Sequence, residues 1–373
     1  MFAHFSSSHQ FRRILLIQFG TVSDIIHTLP IVNILRFRFP AAKIAWLASP
    51  EMIEFLNSYN IADRIILAKP GWYKRLYETN VLRNRLSAFS PDLCLDFHGD
   101  IPSGLAIRLS GNGKRLSISE SATHLSHLEK RLAMLEELDI AGASIDYEFP
   151  EIGYERHTVA WVAHELGMES APFAMIGVGV QSNTNHWERN RYVQVAEHLS
   201  DTHGLHTLVA WQNDREKRLA EKVVAESGGK VALTPSLTAV QFVALARRAK
   251  IYVGTDNDFL LIAAALGIPC VGVLCDEISL ENRSYSNNFQ WVKVGSDETQ
   301  RNRRGINPIR IDNYTYDVLQ VCKACDDILQ QKQPYEEKNH GLRPRTPQGT
   351  DQGKISEIWG FYTGIGQNSE ILH

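Results

Sequence analysis

The sequence has 373 residues, of which 44% are hydrophobic and 22% are charged, values typical of a soluble globular protein. Its formal net charge of -3 argues against general nucleic-acid binding. The first apolar run, residues 14–19, precedes a glycine turn and is too short for a signal peptide, and no run approaches the length of a membrane span. Five cysteines do not make a disulfide framework, so we expect a cytoplasmic protein in a reducing compartment.

Charge is unevenly distributed along the chain. Residues 1–118 contain 14 Lys and Arg against 8 Asp and Glu, an excess of six positive charges. Such an excess suits an anionic substrate or a membrane surface, and it equally suits a solvated face.

Short apolar runs alternate with helical patterns, which predicts an α/β fold with parallel sheets covered on both faces. At about 150 residues per domain, the length predicts two domains. The predicted strands are residues 14–19, 43–48, 64–67, 92–97 and 116–118, followed by 174–180, 207–211, 231–233, 251–254 and 270–274. The predicted organisation is domain 1–155, domain 156–312, a terminal helix 313–330 and a disordered tail 331–373.

The pattern of residues 14–30 predicts a strand, a turn and a helix, with a carboxylate at the N-terminal end of the helix. The small residues 20–23 form the turn, and Asp24 precedes apolar positions that recur at helical spacing. Ligands of open parallel sheets bind at the carboxyl ends of strands, where such turns lie. Asp is also a favoured helix-capping residue, so the pattern alone leaves a capping role and a functional role for Asp24 open.

Other polar residues also follow predicted strands. His98 and Asp100 follow the fourth strand, and Asp214 and residues 256–258 follow strands of the second half. No metal-ligand spacing, Walker A, GxGxxG or GxSxG pattern accompanies them, so no metal is expected. Cys322 and Cys325 form a CxxC without a second ligand pair, and we interpret them as two thiols on a surface helix rather than a zinc or redox site.

Residues 21–30, Thr-Val-Ser-Asp-Ile-Ile-His-Thr-Leu-Pro, resemble the first motif of the heptosyltransferases of glycosyltransferase family 9, Ser-x-Gly-Asp-x-x-His-x-x-Pro. Residues 96–99 lie where that family has Asp-x-Gln-Gly, and residues 127–130 resemble its His-x-x-Glu-Arg. His186 and Trp187 resemble the Arg/His-Trp of its donor loop. Residues 253–269 resemble its last motif, so the resemblance covers roughly residues 12–300.

The resemblance implies a GT-B fold, in which two Rossmann-like domains with parallel sheets face a central cleft. It implies an inverting, metal-independent transferase that uses no cofactor and moves a heptose-like sugar from a nucleotide sugar, ADP-heptose, to a lipopolysaccharide core or related glycan acceptor. The first domain would bind a lipid-linked or glycan acceptor, in peripheral contact with the inner membrane, and Asp24 would be the general base. The acceptor-binding residues would be Thr21, Ser23, His27, His98, Asp100 and His127. The donor-binding residues would be Gln181, Asn183, Asn185, His186, Trp187, Asp214, Asp256, Asn257 and Asp258.

The sequence departs from the family pattern mainly in the donor half. Ser23 occupies the position at which the family has a glycine before the base. Asn185 occupies the position of a family lysine that would face the diphosphate. Asp258 stands for a glycine and Leu261 for a histidine, and Asp258 adds negative charge where a dianion would bind. Three explanations follow: the donor differs, an arginine replaces the lost charge, or catalysis is lost. The candidate arginines are Arg189, Arg191 and Arg215.

Two functional hypotheses therefore remain beside each other. The intact residues Asp24 and His27 favour an active transferase, and the substitutions in the donor half favour a GT-B scaffold that binds a glycan or a protein partner. A nucleotide-sugar epimerase with the same fold is a weaker third reading, because the Asp24 motif is not expected in it.

Overall fold

The structure, a computed structural model, describes residues 10–118, 127–138, 140, 155–166, 171–179, 187–255, 257–274, 288–294 and 313–330. All of these residues belong to one compact unit, Met1–Gln330. The predicted tail, residues 331–373, lies outside the described residues. The domain boundaries at residues 155 and 312 stay predictions.

The first half contains a five-stranded sheet in which every pairing is parallel. Its strands are β1 (Arg13–Ile17), β2 (Lys43–Ala48), β3 (Arg64–Leu67), β4 (Leu93–Asp96) and β5 (Lys114–Ser117). Its helices are α1 (Val22–Arg38), α2 (Ile53–Ser58), α3 (Leu76–Phe89), α4 (Ile101–Leu109) and α5 (His127–Glu136). The pattern of residues 72–89 predicts one helix, but Arg75 is extended, with φ -126°, and separates a 3-10 turn at Trp72–Lys74 from α3.

The second half contains a six-stranded sheet, also parallel in every pairing. Its strands are β6 (Phe173–Gly177), β7 (His206–Ala210), β8 (Val231–Leu233), β9 (Tyr252–Thr255), β10 (Cys270–Leu274) and β11 (Phe289–Lys293). Its helices are α6 (Glu155–Leu166), α7 (Arg189–His203), α8 (Asp214–Glu226), α9 (Ala239–Ala246), α10 (Asp258–Ala265) and the terminal α11 (Asn313–Gln330).

Strand β11 is not predicted from the sequence. It is an edge strand, and only Val292 of its five residues is buried, so its segment lacks the continuous apolar run of a central strand. Trp291 packs over Gly272 of the neighbouring strand, where a β-carbon would lie 2.4 Å from the indole ring. The edge strand is therefore held by a cross-strand contact that only the pairing reveals.

The strand order places two topological switch points at the carboxyl ends of the sheets. The first sheet has the order β3-β2-β1-β4-β5, and the second has β11-β10-β9-β6-β7-β8. Both follow the Rossmann pattern, in which the chain reverses direction across the sheet between its first and fourth strands. The crevices therefore open between β1 and β4 and between β6 and β9, which confirms the predicted pair of Rossmann-like sheets.

The cores explain the apolar runs of the sequence. Residues 14–17 of β1 are fully buried, because helices cover both faces of the sheet. The largest buried cluster joins both halves, since it contains Ile25 and Phe55 of the first half together with Phe242 and Phe259 of the second. Among the described residues, no helix is both long and apolar enough to cross a bilayer.

The CxxC of the terminal helix is a core feature and not a pair of surface thiols. Cys322 is 6% exposed and Cys325 is fully buried, in the cluster on which α11 packs. Burial raises the pKa of the Cys322 thiol to about 11 and also raises that of Cys325, so both stay protonated at neutral pH. The prediction that they lie on the surface is wrong because their face of α11 packs against the sheet.

Candidate active site

Asp24 lies in the first turn of α1, directly after the turn that follows β1. Its Oδ2 accepts a hydrogen bond from the N–H of Thr21, the residue that precedes the helix, at 3.1 Å. Gly20 has a φ of +149°, and a β-carbon there would lie 2.2 Å from Asp24 Oδ2, so only glycine fits beneath the carboxylate. Asp24 thus takes part in capping the helix, and 28% of its side chain stays exposed to solvent.

Arg131 of α5 lies beneath Asp24 and is 1% exposed. Its guanidinium donates to Asp24 Oδ1 at 3.4 Å, to Gln18 Oε1 at 3.3 Å and to Thr28 Oγ1 at 3.1 Å. It also lies over the ring of Phe97, 5.8 Å from the ring centroid. These contacts orient the Asp24 carboxylate from its buried side.

Arg131 is absent from the residues predicted from the sequence. The family pattern His-x-x-Glu-Arg, started at His127, ends at position 131, so the motif contained the signal. His127 begins α5, and its side chain lies outside the described part of the structure.

The turn after β4 forms the other side of the β1–β4 crevice. Asp100 caps α4 by accepting the N–H of Ser103 at 2.8 Å, and its Oδ2 lies 3.3 Å from His98 Nε2. Asp96, which is 1% exposed, accepts the N–H groups of His98 and Gly99 and so fixes this turn. His98 packs edge-on against Phe19, which precedes the Asp24 turn, with ring centroids 5.4 Å apart. Both turns therefore converge at one crevice, as their positions in the sequence predict.

A hydrogen bond joins this crevice to the second half of the chain. The Ser23 hydroxyl donates to Oδ1 of Asp258, the first residue of α10. Both residues stand where the family pattern has glycine, so two of the departures are in contact with each other. Burial raises the pKa of the Asp258 carboxyl, and the nearby negative charge of Asp24 raises it further.

Three further predicted donor residues lie in the part of the chain that the structure describes. Asn257 caps α10 by accepting the N–H of Leu260 at 2.9 Å, and Asp214 is an exposed residue at the start of α8. Trp187 is 1% exposed and packs edge-on against Tyr192 in the second core. The predicted residues Gln181, Asn183, Asn185, His186 and Asp256 lie outside the described residues.

Among the predicted acceptor residues, His27 is more deeply buried than Thr21 and Ser23. It is 3% exposed, one turn of α1 beyond Asp24, whereas Thr21 is exposed and Ser23 is half-buried. His27 therefore lies behind the residues that border the crevice.

The structure tests the idea that an arginine replaces the missing donor-site lysine. Arg191 forms an ion pair with Asp317 at 3.1 Å, and both side chains are 9% exposed. Arg189 forms an ion pair with Glu226 at 2.5 Å. These two arginines are thus bound to carboxylates on neighbouring helices, whereas Arg215 is an exposed residue in the first turn of α8.

Ionisation of Asp258 with rising pH is expected to lower the free energy of unfolding of the wild type. Asp258→Asn should therefore gain stability relative to the wild type over the pH range in which Asp258 ionises. The folded state holds this proton more tightly than the unfolded chain, whose Asp pKa is 3.8. The resulting stabilisation is complete below pH 3.8 and is lost as the pH rises through the folded-state pKa. Urea unfolding of the wild type and of Asp258→Asn, from below pH 3.8 to neutral pH, measures the difference between their free energies of unfolding.

Asp63→Asn provides a control of opposite sign. Burial opposes ionisation of Asp63, but the Ile44 N–H and the charges of Arg36 and Lys43 hold its pKa below the usual value. Asp63→Asn should therefore lose stability relative to the wild type over the pH range in which Asp63 ionises. A stability difference for Asp258→Asn that does not change with pH would contradict this account of Asp258.

Comparisons with known proteins agree with this fold. A family model described as glycosyltransferase family 9 (heptosyltransferase) matches residues 90–307, which is more than half of the chain. Lipopolysaccharide heptosyltransferase 1 of Pseudomonas aeruginosa is 23% identical over 285 residues, covering 70% of this chain and 78% of that protein.

Two solved structures share the fold at low sequence identity. The glycosyl transferase family 9 protein of Veillonella parvula has a TM-score of 0.71 and 14% identity, over 88% of this chain and 100% of that one. The heptosyltransferase WaaC of E. coli, solved with ADP-2-deoxy-2-fluoro heptose, has a TM-score of 0.58 and 18% identity, over 75% of this chain and 92% of that one.

The two parallel-sheet domains are those of the GT-B class of glycosyltransferases. With the family model matched over more than half of its length, the chain belongs to glycosyltransferase family 9.

Proposed function

We propose that this protein transfers a heptose-like sugar from ADP-heptose to a lipopolysaccharide core or related glycan acceptor, with inversion at the anomeric carbon. The observation that supports this most directly is the Asp24 carboxylate, which lies half-buried at the β1–β4 crevice with Arg131 behind it. Donor and acceptor are suggested by the relatives, which include a lipopolysaccharide heptosyltransferase and a heptosyltransferase bound to an ADP-heptose analogue.

In this proposal Asp24 is the general base. It takes the proton from an acceptor hydroxyl while the hydroxyl oxygen bonds to the anomeric carbon of the donor. The bond from that carbon to the donor phosphate breaks on the opposite face, and the nucleoside diphosphate leaves. Thr21 N–H and Arg131 each bind one carboxylate oxygen, and two acceptor positions per oxygen leave room for the substrate hydroxyl.

The donor would bind in the second half, where α10 begins at the β6–β9 crevice. A helix N-terminus stabilises phosphate without a metal, because its free N–H groups point towards the anion. Here the Asp258 carboxyl stands in the first turn of α10 and is bound to Ser23. The donor must therefore displace this contact or bind with its phosphates beside it.

A membrane contact is part of the proposal. Leu76 begins α3 and is 86% exposed, and Ile101 begins α4 and is 84% exposed. Both helices follow strands of the first sheet, so these ends lie at the same edge of that sheet as Asp24. Lys74 and Arg75 lie beside Leu76 in the sequence, so apolar and cationic groups are combined, as in segments that bind anionic lipid surfaces. Sedimentation with anionic vesicles tests this contact, and equal recovery in the supernatant with and without vesicles would contradict it.

The alternative function is a catalytically impaired scaffold that binds a glycan or a protein. The Ser23–Asp258 contact favours it, since it fills space and adds negative charge between the two halves of the site. Calorimetry with ADP, UDP and GDP, first without metal and then with magnesium, separates the two functions. We expect metal-free binding of ADP that persists in Asp24→Ala, whereas no binding of any nucleotide would support the scaffold.

A paired substitution refines the same experiment. Ser23→Gly combined with Asp258→Gly restores both family glycines and removes the carboxyl from α10. ADP affinity should rise, because the phosphate no longer competes with a negative charge. An unchanged affinity would mean that the contact does not restrict the donor site.

A further inference from the structure

A cluster of metal-ligating side chains lies on two helices that contribute no residue to the Asp24 site. His198 and His203 are on α7, and Asp326 is on the terminal helix α11. The Nε2 atoms of the two imidazoles lie 2.8 Å and 2.7 Å from the same oxygen, Asp326 Oδ1. One ligand atom from each residue lies within 4.8 Å of the other two.

These separations are close to those around a tetrahedral ion. Zinc binds imidazole nitrogen and carboxylate oxygen at about 2.0–2.2 Å, so its ligand atoms lie about 3.3 Å from one another. An ion can therefore enter this cluster if the ligand atoms move by roughly an ångström or less. The side chains of the three residues are 19–29% exposed, so the cluster is open to solvent and leaves a fourth position for water.

The surroundings hold the ligands in place. Thr202 Oγ1 lies 3.4 Å from His198 Nδ1, so a hydroxyl is in place to accept a hydrogen bond from Nδ1–H once Nε2 exchanges its proton for a metal ion. His203 is the last residue of α7 and is followed by Gly204, which ends the helix in the left-handed conformation. The buried ion pair between Arg191 and Asp317 joins the same two helices. Packing thus brings the ligands together without an ion.

We propose that His198, His203 and Asp326 form a binding site for Zn²⁺ or a similar divalent transition-metal ion, which links α7 to the terminal helix α11. Two imidazoles and one carboxylate suit zinc, cobalt or nickel. Magnesium and calcium, by contrast, bind sites made of oxygen ligands. The ion stabilises the attachment of α11, because it binds the folded arrangement and not the unfolded chain.

Zinc binding is measured on the full chain after removal of metals with a chelator. Calorimetric titration with ZnCl₂ should show a saturable site whose affinity falls by more than 100-fold in His203→Gln and in Asp326→Asn. His206→Gln is the matched control, because His206 is an exposed histidine at the start of β7, and it should retain the site. Zinc should also raise the unfolding temperature of the wild type, whereas magnesium should not.

The proposal is overturned if the wild type shows no saturable zinc binding, or if both ligand variants bind zinc like the wild type. Substitution with Co²⁺ provides a measurement on the wild type alone, should a variant fail to fold. We expect the visible absorption of a cobalt site with nitrogen and oxygen ligands. A sulfur-to-cobalt charge-transfer band would assign the metal to a cysteine and contradict the proposal.

Discussion

Replacing Asp24 with asparagine is expected to lower the rate of sugar transfer by roughly 10²- to 10⁴-fold, the contribution typical of a general base. Asparagine has nearly the same shape, and its amide oxygen can still accept the Thr21 N–H that begins α1. It cannot take a proton from the acceptor hydroxyl. Product formation measured under single-turnover conditions, with ADP affinity measured in parallel, should show a loss in rate at unchanged nucleotide binding.

Asp92→Asn is the matched control for this substitution. Asp92 also accepts backbone N–H groups, from Arg12 and Arg13, but it does so at the amino end of β1, opposite the site. Its replacement should leave the transfer rate within a few-fold of the wild type. A rate for Asp24→Asn that stays within tenfold of the rate for Asp92→Asn would show that Asp24 is not the base.

Replacing Arg131 with methionine should cost both stability and rate. Gln18 Oε1 and Thr28 Oγ1 are buried, and each would lose the hydrogen bond that Arg131 donates, although Thr28 keeps its own bond to the Asp24 carbonyl. A buried group left unpaired costs about 1–3 kcal/mol. We expect a net loss of about 2–4 kcal/mol in the free energy of unfolding, because part of the site relaxes. Asp24 would lose its orienting partner, and a displacement of about 1 Å lowers a rate by about 10²-fold.

Arg191→Met separates the two effects of the Arg131 substitution. Arg191 is also a buried arginine paired with an aspartate, so its loss destabilises the fold in a comparable way. Its partner is Asp317 on α11, and the rate per folded molecule should stay near that of the wild type. Denaturant unfolding measures the stability of both variants, and sugar-transfer assays measure their rates. Equal transfer rates for Arg131→Met and Arg191→Met would show that Arg131 does not act at the site.

The conservative substitution Arg131→Lys tests the geometry of the same contact. Lysine keeps the charge but has a single ammonium group, which cannot reach Asp24, Thr28 and Gln18 together as the planar guanidinium does. Its rate should lie between those of the wild type and Arg131→Met.

Much of the fold follows from local sequence features. Strand β1 is predicted within two residues, because a parallel strand covered on both faces needs a continuous apolar run. The turn before Asp24 is also predictable from the local sequence, since the residue beneath the Asp24 carboxylate must be small and is Gly20. Strand β11 is not predicted, because an edge strand with one buried residue carries little periodicity of its own.

Assembly of the site depends on contacts between residues that are distant in the chain. Arg131 and Asp24 are 107 residues apart, and although a family motif ends at position 131, the helical periodicity around it does not show that this side chain reaches Asp24. Ser23 and Asp258 are 235 residues apart, and each is readable from the sequence only as a separate departure from a family motif. In the proposed metal site, Asp326 is likewise 128 residues from His198 and 123 residues from His203, so the spacing of ligands in the sequence does not predict it.

Hydrophobic periodicity and short motifs are local, and they were therefore enough to predict the α/β class, the two series of parallel strands, the Asp24 turn and the family. The contact of Arg131 with Asp24, the contact of Ser23 with Asp258 and the burial of the CxxC became visible in the folded chain alone. These contacts depend on strand order and helix packing, because burial of apolar surface over long stretches of chain determines which distant polar groups become neighbours.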